Sequence, residues 1–302
     1  MKKRIIAISL LLLVAIGSGS MWHRVTAGFG LNKIQFDLPT NPDWDFHLSK
    51  TSFGQVQDIL DQEFTYLDKG RQSYVFESAD GNYVIKFFRY HLVRPRLRHY
   101  FLQLFKQFRE YGSYRILGKR HQFEGWMDSY SLAFRELKEE TGILYMHLTN
   151  TTSRHNKQIT IRDRLNRKYT LDADKVGFLI QKKVDLLYDR VLELTKAKDF
   201  DNLARVMKAY LSTVASRYQK GIKNKDHAWT HNYGVYGFDE VYEIDVGRYC
   251  PKKIDKNYSH FQTTLIRFTL PIQEYLKANV PEFMETFDHL LIEEAKSYFT
   301  EE

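Results

Sequence analysis

Cysteine is nearly absent: Cys250 is the only one among 302 residues. That excludes an intramolecular disulfide framework and any cysteine-based zinc site, and leaves either redox compartment open. Proline and glycine are also scarce, at 6 and 16 residues. With 43% hydrophobic residues, this excludes collagen-like and disordered classes and supports a globular chain with a sizeable core. No internal repeat and no low-complexity tract is present. A Gly-x-Ser-x-Gly elbow is missing too, so a serine hydrolase has no support. What the chain has in plenty is aromatic surface, with 20 Tyr and 21 Phe. It suits one large domain or two lobes.

Acidic residues are missing from one particular place. Between Lys86 and His121 there are ten Lys or Arg and a single acid, Glu110. The formal net charge of the whole chain is +8, so everything outside this stretch is close to neutral. Long hydrophobic runs are absent as well. The longest, Ile5–Ile16, follows Lys2-Lys3-Arg4 and precedes Gly17-Ser18-Gly19-Ser20. It is shorter than the ~20 residues that span a bilayer comfortably. The layout predicts a signal peptide or membrane anchor over residues 1–20, hence an exported or membrane-anchored protein. No cysteine follows the small residues, so lipid attachment there is excluded.

Periodicity predicts an N-terminal extension over 21–62 with a short helix Gly54–Phe64, then strands at Phe64–Leu67, Tyr74–Phe76 and Tyr83–Ile85. Asp80-Gly81 is a hairpin signal between the last two. The basic stretch reads as helical from Arg94, and a second helix is expected over Asp128–His147. Strands at Gln158–Arg162 and Val176–Lys182 flank a polar connection. From Asp185 the pattern turns helical: one helix around Leu186–Leu194, another over Leu203–Tyr218 with Val206, Tyr210, Val214 and Tyr218 on one face. A turn-rich segment, Gly221–Gly237, precedes a strand at Val241–Ile244, and helices over His260–Ala278 and Pro281–Phe299 close the chain. Strands first and helices later indicate an α+β protein of two lobes, divided near residue 183.

Chemistry concentrates in Gly221–Arg248. Asp226 stands in a loop, Asn232 follows six residues later, and a strand delivers Ile244-Asp245-Val246-Gly247. Upstream, Leu67-Asp68-Lys69-Gly70-Arg71-Gln72-Ser73-Tyr74-Val75-Phe76 joins two expected strands, and Tyr83-Val84-Ile85-Lys86 ends the next. Glu140 lies in the expected second helix, with Glu136 one turn earlier, and Gln181-Lys182-Lys183 links the two halves. In this order, over residues 63–250, the chain resembles the protein-kinase-like superfamily. The resemblance implies a bilobal fold: an antiparallel-sheet N-lobe over 63–183, carrying a basic insertion at 87–127, and a reduced helical C-lobe over 184–302. It implies ATP and Mg2+ as cofactors. Gly70, Ser73 and Val75 would line the nucleotide, Gln181 would offer the adenine edge, and Lys86 would bind phosphates with Glu140 as its partner. Asp226 would orient or deprotonate the acceptor hydroxyl, and Asn232 with Asp245 would hold magnesium.

The departures from that pattern define the alternatives. Asn224-Lys225 replaces the usual His-Arg before the catalytic Asp, the Asp226-to-Asn232 interval is six where five is commoner, and two of three loop glycines are missing. Only 55 residues follow Gly247. Val280-Pro281-Glu282 reads best as proline opening a helix. The expected function is an Mg-ATP-dependent phosphotransferase acting at a membrane or after export. The alternatives are a pseudokinase-type binding module without catalysis and a basic membrane-peripheral scaffold. The acceptor, whether protein, lipid headgroup or small molecule, is not specified by the sequence. Residues 89–120 suit an anionic membrane surface. Nucleic acid is disfavoured, because no recognised module accompanies the charge. His227 and His231 share an i, i+4 interval, but in an expected loop they make a poor metal pair.

Overall fold

The computed structural model describes residues 20–226, 228–252 and 258–298. The N-terminal segment expected to be a leader, residues 1–19, lies outside them, as does His227. The described chain is an α+β protein that divides into two compact units. One holds the residues up to Arg120 together with Tyr145–Ile180; the other holds His121–Leu144 and everything from Gln181 onward.

The first unit is organised by a seven-stranded mixed sheet. After helix α1 (Lys50–Leu60) come β1 (Glu63–Lys69), β2 (Ser73–Ser78) and β3 (Tyr83–Phe88), an antiparallel meander. Along the chain come α2 (Leu97–Gln103), α3 (Arg109–Glu136), of which the part from His121 is assigned to the second unit, and α4 (Lys138–Thr141), also of the second unit. Then follow β4 (Ile143–His147), β5 (Gln158–Arg162), β6 (Lys168–Asp172) and β7 (Phe178–Lys182). The strand order is β4-β7-β3-β2-β1-β5-β6, with β5 parallel to β1. The turn between β2 and β3 is built as Asp80-Gly81 requires: Gly81 takes a φ of +72°, and its N–H donates to Ser78 O at 2.9 Å. One sheet face is an aromatic core, where Phe76 meets Phe29, Tyr66 and Phe87 with ring centroids 5.4–5.7 Å apart.

The second unit continues with β8 (Asp185–Leu186), α5 (Leu187–Ala197), α6 (Phe200–Gln219), β9 (Ile222–Asn224) and α7 (Trp229–Asn232). β10 (Tyr233–Tyr236), β11 (Glu240–Glu243), β12 (Tyr249–Pro251), α8 (Tyr258–Asn279) and α9 (Met284–Ser297) complete it. α6 is its axis: Asp199 caps the start by accepting from Asn202 N at 3.2 Å, and Val206, Tyr210, Val214 and Tyr218 are all buried. Pro281 opens a short 3-10 turn before α9, the role expected of it.

Several expectations are corrected. The early helix covers Lys50–Leu60, not Gly54–Phe64, because Ser49 caps it through Ser52 N and Phe64 belongs to β1. The expected helix Asp128–His147 is the end of the longer α3, then α4, then a strand. Gly142, in the left-handed region at φ +62°, stops the helical path, and Ile143–His147 joins the sheet. The basic segment is no single helix from Arg94: α2 ends at Gln103 and a 3-10 turn, Lys106–Phe108, separates it from α3. Strands β6 and β10 lie where the sequence suggested only connections.

Burial sets a direct contrast. Phe87 is fully buried in the aromatic core, whereas Phe101 on α2 is 59% exposed. Phe87→Ala is expected to cost about 3–5 kcal/mol in urea unfolding, and Phe101→Ala no more than about 0.5 kcal/mol.

Candidate functional site

The loop between β9 and β10 is held from beneath by a buried ion pair. Arg217 on α6 and Glu243 on β11 are 1% and 0% exposed, with Nε and Oε2 2.8 Å apart. Arg217 Nη1 also donates to Ile222 O at 3.1 Å, which fixes the start of β9. The other carboxylate oxygen, Oε1, accepts from Asn224 Nδ2 at 2.6 Å and from the Tyr233 hydroxyl at 3.2 Å. Burial is the largest single influence on Arg217 and opposes its charge, but the Glu243 carboxylate together with Tyr233 and Tyr249 raises the arginine above its ordinary value. Burial, reinforced by Glu243, likewise raises the Tyr233 and Tyr249 phenols. α6, β9, β10 and β11 are therefore joined at one charged, water-free point.

From that point the loop is built outward. Asn224 Oδ1 accepts from Asp226 N at 2.8 Å, so one asparagine links the buried carboxylate to the loop aspartate's backbone. The interval of six between Asp226 and Asn232 is taken up by the single helical turn α7, with Asn232 N donating to Ala228 O at 3.0 Å. Asn232 is buried, and its Nδ2 reaches back to Asp226 O at 3.1 Å, closing the loop on itself. The six-residue interval thus contains a turn of helix, and the Asn232 side chain still reaches the Asp226 backbone. Asn232 O then accepts from Ile244 N at 2.7 Å, which brings the Asp245-Val246-Gly247 turn alongside.

That turn is clamped twice. Ser129 on α3 donates from Oγ to Val246 O at 2.5 Å and accepts from Tyr249 N at 2.6 Å. Asp245 Oδ1 accepts from Gly247 N at 3.3 Å, a local carboxylate turn. Antiparallel pairing of β9 with β12 (Asn224 with Tyr249, Cys250 with Lys223) ties the two segments again. The outcome is three partly or fully buried side chains, Asp226, Asn232 and Asp245, offering carboxylate and amide oxygens from two backbone segments. With its nitrogen committed to Asp226 O, the Asn232 amide keeps its oxygen as the acceptor end. This donor set suits a hard, oxygen-seeking cation such as Mg2+. Arg248 Nη1 stands 3.8 Å from Asp226 Oδ2.

The remaining candidates fall into two groups. In the first unit, Gly70 and Ser73 form the β1–β2 turn, and Arg89 Nη1 holds it by donating to Gly70 O and Arg71 O, both at 3.0 Å. A Cβ at Gly70 would meet Ser73 at 3.7 Å, an ordinary contact, so the turn itself does not demand glycine there. Val75 is the direct cross-strand partner of Lys86, which places both on one face of the sheet. In the second unit, Glu140 sits on the four-residue α4, not on a long helix as expected. Its Oε1 pairs with Lys220 Nζ at 2.5 Å and accepts from Ser216 Oγ. Buried Gln181 donates from Nε2 to Thr141 O at 2.5 Å. His231 is exposed on α7.

Sequence reasoning did not single out Arg217, Glu243 or Ser129. Arg217 within an otherwise apolar face of α6 was the one available signal. It also overlooked a cluster in the first unit. His147, His155 and Asp174 are buried, with donor atoms within 4.8 Å of one another. Protein groups engage every ring nitrogen: Val176 O and Thr151 Oγ1 for His147, Gln57 and the Tyr145 hydroxyl for His155. Asp174 accepts from Thr151 and from the N–H groups of Arg154, His155 and Asn156. The cluster is thus a closed polar pin between β4, the loop before β5 and the loop before β7. No protein-family model matches this chain, and no curated protein matches it.

Two measurements follow from these networks. Glu243→Gln leaves Arg217 buried without its counter-charge and is expected to cost about 3–5 kcal/mol in urea unfolding. Combining it with Arg217→Met should recover part of that loss. Burial lowers both His147 and His155, the latter to about 4 from an ordinary 6.5. A depressed histidine favours the neutral folded form, so its contribution is complete above pH 6.5 and is lost as pH falls towards 4. The unfolding midpoint should therefore drop across that window, and His155→Gln should flatten the drop.

Proposed function

We propose that the protein is a magnesium- and ATP-dependent phosphotransferase of protein-kinase-like organisation. The reading rests above all on the second unit, where Asn232 Nδ2 binds Asp226 O and Asn232 O receives Ile244 N. In this reading the two bonds hold the segments of the loop Asp, the loop Asn and Asp-Val-Gly beside one another, so that their oxygens can serve one site. Further support comes from the first unit, where the candidate lysine lies on the third strand of the meander, beside Val75 of the second. That is the position of the phosphate-binding lysine in protein kinases.

In this reading Asn232 and Asp245 hold the magnesium ion, which neutralises charge on the nucleotide phosphates. The first unit's own candidates for phosphate contact are Lys86 and the β1–β2 turn at Gly70 and Ser73. Asp226 orients the acceptor hydroxyl and takes its proton as the acceptor oxygen bonds to the γ-phosphorus. The bond from that phosphorus to the β–γ bridging oxygen breaks, and ADP leaves. Glu140 is committed to Lys220 and Ser216, so in this reading it braces α6 against α4. The acceptor is a hydroxyl-bearing protein, lipid headgroup or small molecule.

One observation favours a second reading, a nucleotide-binding module without catalysis. Arg248 Nη1 stands 3.8 Å from Asp226 Oδ2, which sets a guanidinium beside the carboxylate that an acceptor hydroxyl would have to reach. Transfer of a labelled γ-phosphoryl group to casein, to lipid headgroups or to the protein itself separates the two. Phosphotransfer predicts label in wild type that falls about 10²–10⁴-fold in Asp226→Ala, while Mg-ATP still raises the unfolding temperature of that variant. Binding in wild type without transfer to any acceptor would establish the second reading.

A further inference from the structure

The segment from Arg94 to Arg120 is folded inside out with respect to water. On α2, the side chain packed inward is His99, which is buried, while Leu97, Phe101 and the following Leu104 are 86%, 59% and 73% exposed. The inner contacts are polar or small. Gln103 Nε2 donates to Ser113 Oγ at 2.9 Å, and a Cβ on Gly112 would come within 2.7 Å of His99 O. Gly112 therefore lets α3 approach the α2 backbone closely. Outside, Phe101 and Phe105 meet edge to face at 5.1 Å, and Phe108, Tyr111, Tyr114 and Leu117 continue the apolar surface along the 3-10 turn and α3. A segment adapted to water would turn these aromatic and leucine side chains in and His99 and Gln103 out.

The same surface carries exposed Arg94, Arg96, Arg98, Lys106, Arg109 and Arg115 against one acid, Glu110. Among these, Arg94 also donates to Gln35 O at 3.0 Å, and Arg109 to Gln103 O at 3.3 Å. His99 adds no positive charge near neutral pH, since burial first, then Arg98, Arg115, Arg96 and Lys119, lower it. Apolar side chains standing among fixed cations need an environment that is greasy within and negative at its edge. We propose that residues 94–117 form a docking surface for an anionic lipid bilayer, with Leu97, Phe101, Leu104 and Phe105 entering the acyl boundary and the arginines and Lys106 meeting the headgroups. This surface belongs wholly to the first unit, and the inference does not rest on phosphotransfer.

The test reads the surface itself, so that binding by any other part of the full chain is not mistaken for it. In a Cys250→Ser background, Leu104→Cys is labelled with an environment-sensitive fluorophore and mixed with vesicles of phosphatidylcholine, alone or mixed equally with phosphatidylglycerol. The expected result is a blue shift with the anionic vesicles only, reversed by high salt. Lys106→Glu with Arg115→Glu should abolish it, and Phe101→Ser should weaken binding about tenfold or more. Circular dichroism and thermal unfolding confirm that each variant is folded. No shift with anionic vesicles, or an equal shift with neutral ones, overturns the proposal. So does a shift that grows with protein concentration in the absence of vesicles, which would show a second copy covering the surface.

Discussion

The second unit depends on one ion pair that water does not reach. Arg217 and Glu243 come from a helix and a strand 26 positions apart, and their full burial makes every remaining hydrogen-bonding position on both groups valuable. Ile222 O takes one guanidinium N–H, and Asn224 Nδ2 and the Tyr233 hydroxyl both donate to the free carboxylate oxygen. Because these partners begin and end the loop that carries Asp226, the pair fixes where that loop leaves and rejoins the fold. Hydrophobic residues of equal volume would pack the same space at no greater cost, but they would not specify which backbone segments meet there. The position of the candidate chemistry is thus a consequence of a buried charge outside it.

From the ion pair the order of cause is short. Asn224 transmits it to the backbone of Asp226, α7 returns the chain to Asn232, and Asn232 receives Ile244 and so aligns Asp245. Ser129 closes the far side of the Asp-Val-Gly turn. Apart from the backbone bond between Ile244 and Asn232, these links run from side chain to backbone, a pattern that gives loops a defined geometry. The backbone that carries Asp226, Asn232 and Asp245 is thus braced, and under the proposed function that bracing would hold their oxygens in place for a ligand.

Much of this architecture was legible because it follows local rules. Asp80-Gly81 announced its hairpin, the 3.6-residue spacing of Val206, Tyr210, Val214 and Tyr218 announced α6, and alternation announced β1 to β3. The order of Gly70, Lys86, Asp226, Asn232 and Asp245 could be read directly, and backbone-directed bonds link the segments that carry the last three. Failures came where tertiary context decides. Ile143–His147 continues a helical pattern of apolar residues, yet Gly142 in a left-handed conformation turns it into a sheet strand. The six-residue interval after Asp226 suggested a distorted loop, whereas a turn of helix absorbs it. Glu140 looked like a partner for a distant lysine but pairs with Lys220. Arg217 and Glu243 carry no motif at all, since a buried ion pair is defined only by burial. The basic segment was visible as charge, but its outward-facing aromatic residues follow from the close approach at Gly112.

The central claim is that Asp226, Asn232 and Asp245 form one site for a magnesium-bound nucleotide. Calorimetric titration of ATP into the full chain, with and without magnesium, tests it most directly. Binding is expected to require magnesium, to be lost in Asp245→Ala and to persist in Asp226→Ala. Binding that ignores magnesium, that survives Asp245→Ala unchanged, or that does not occur in wild type would contradict it.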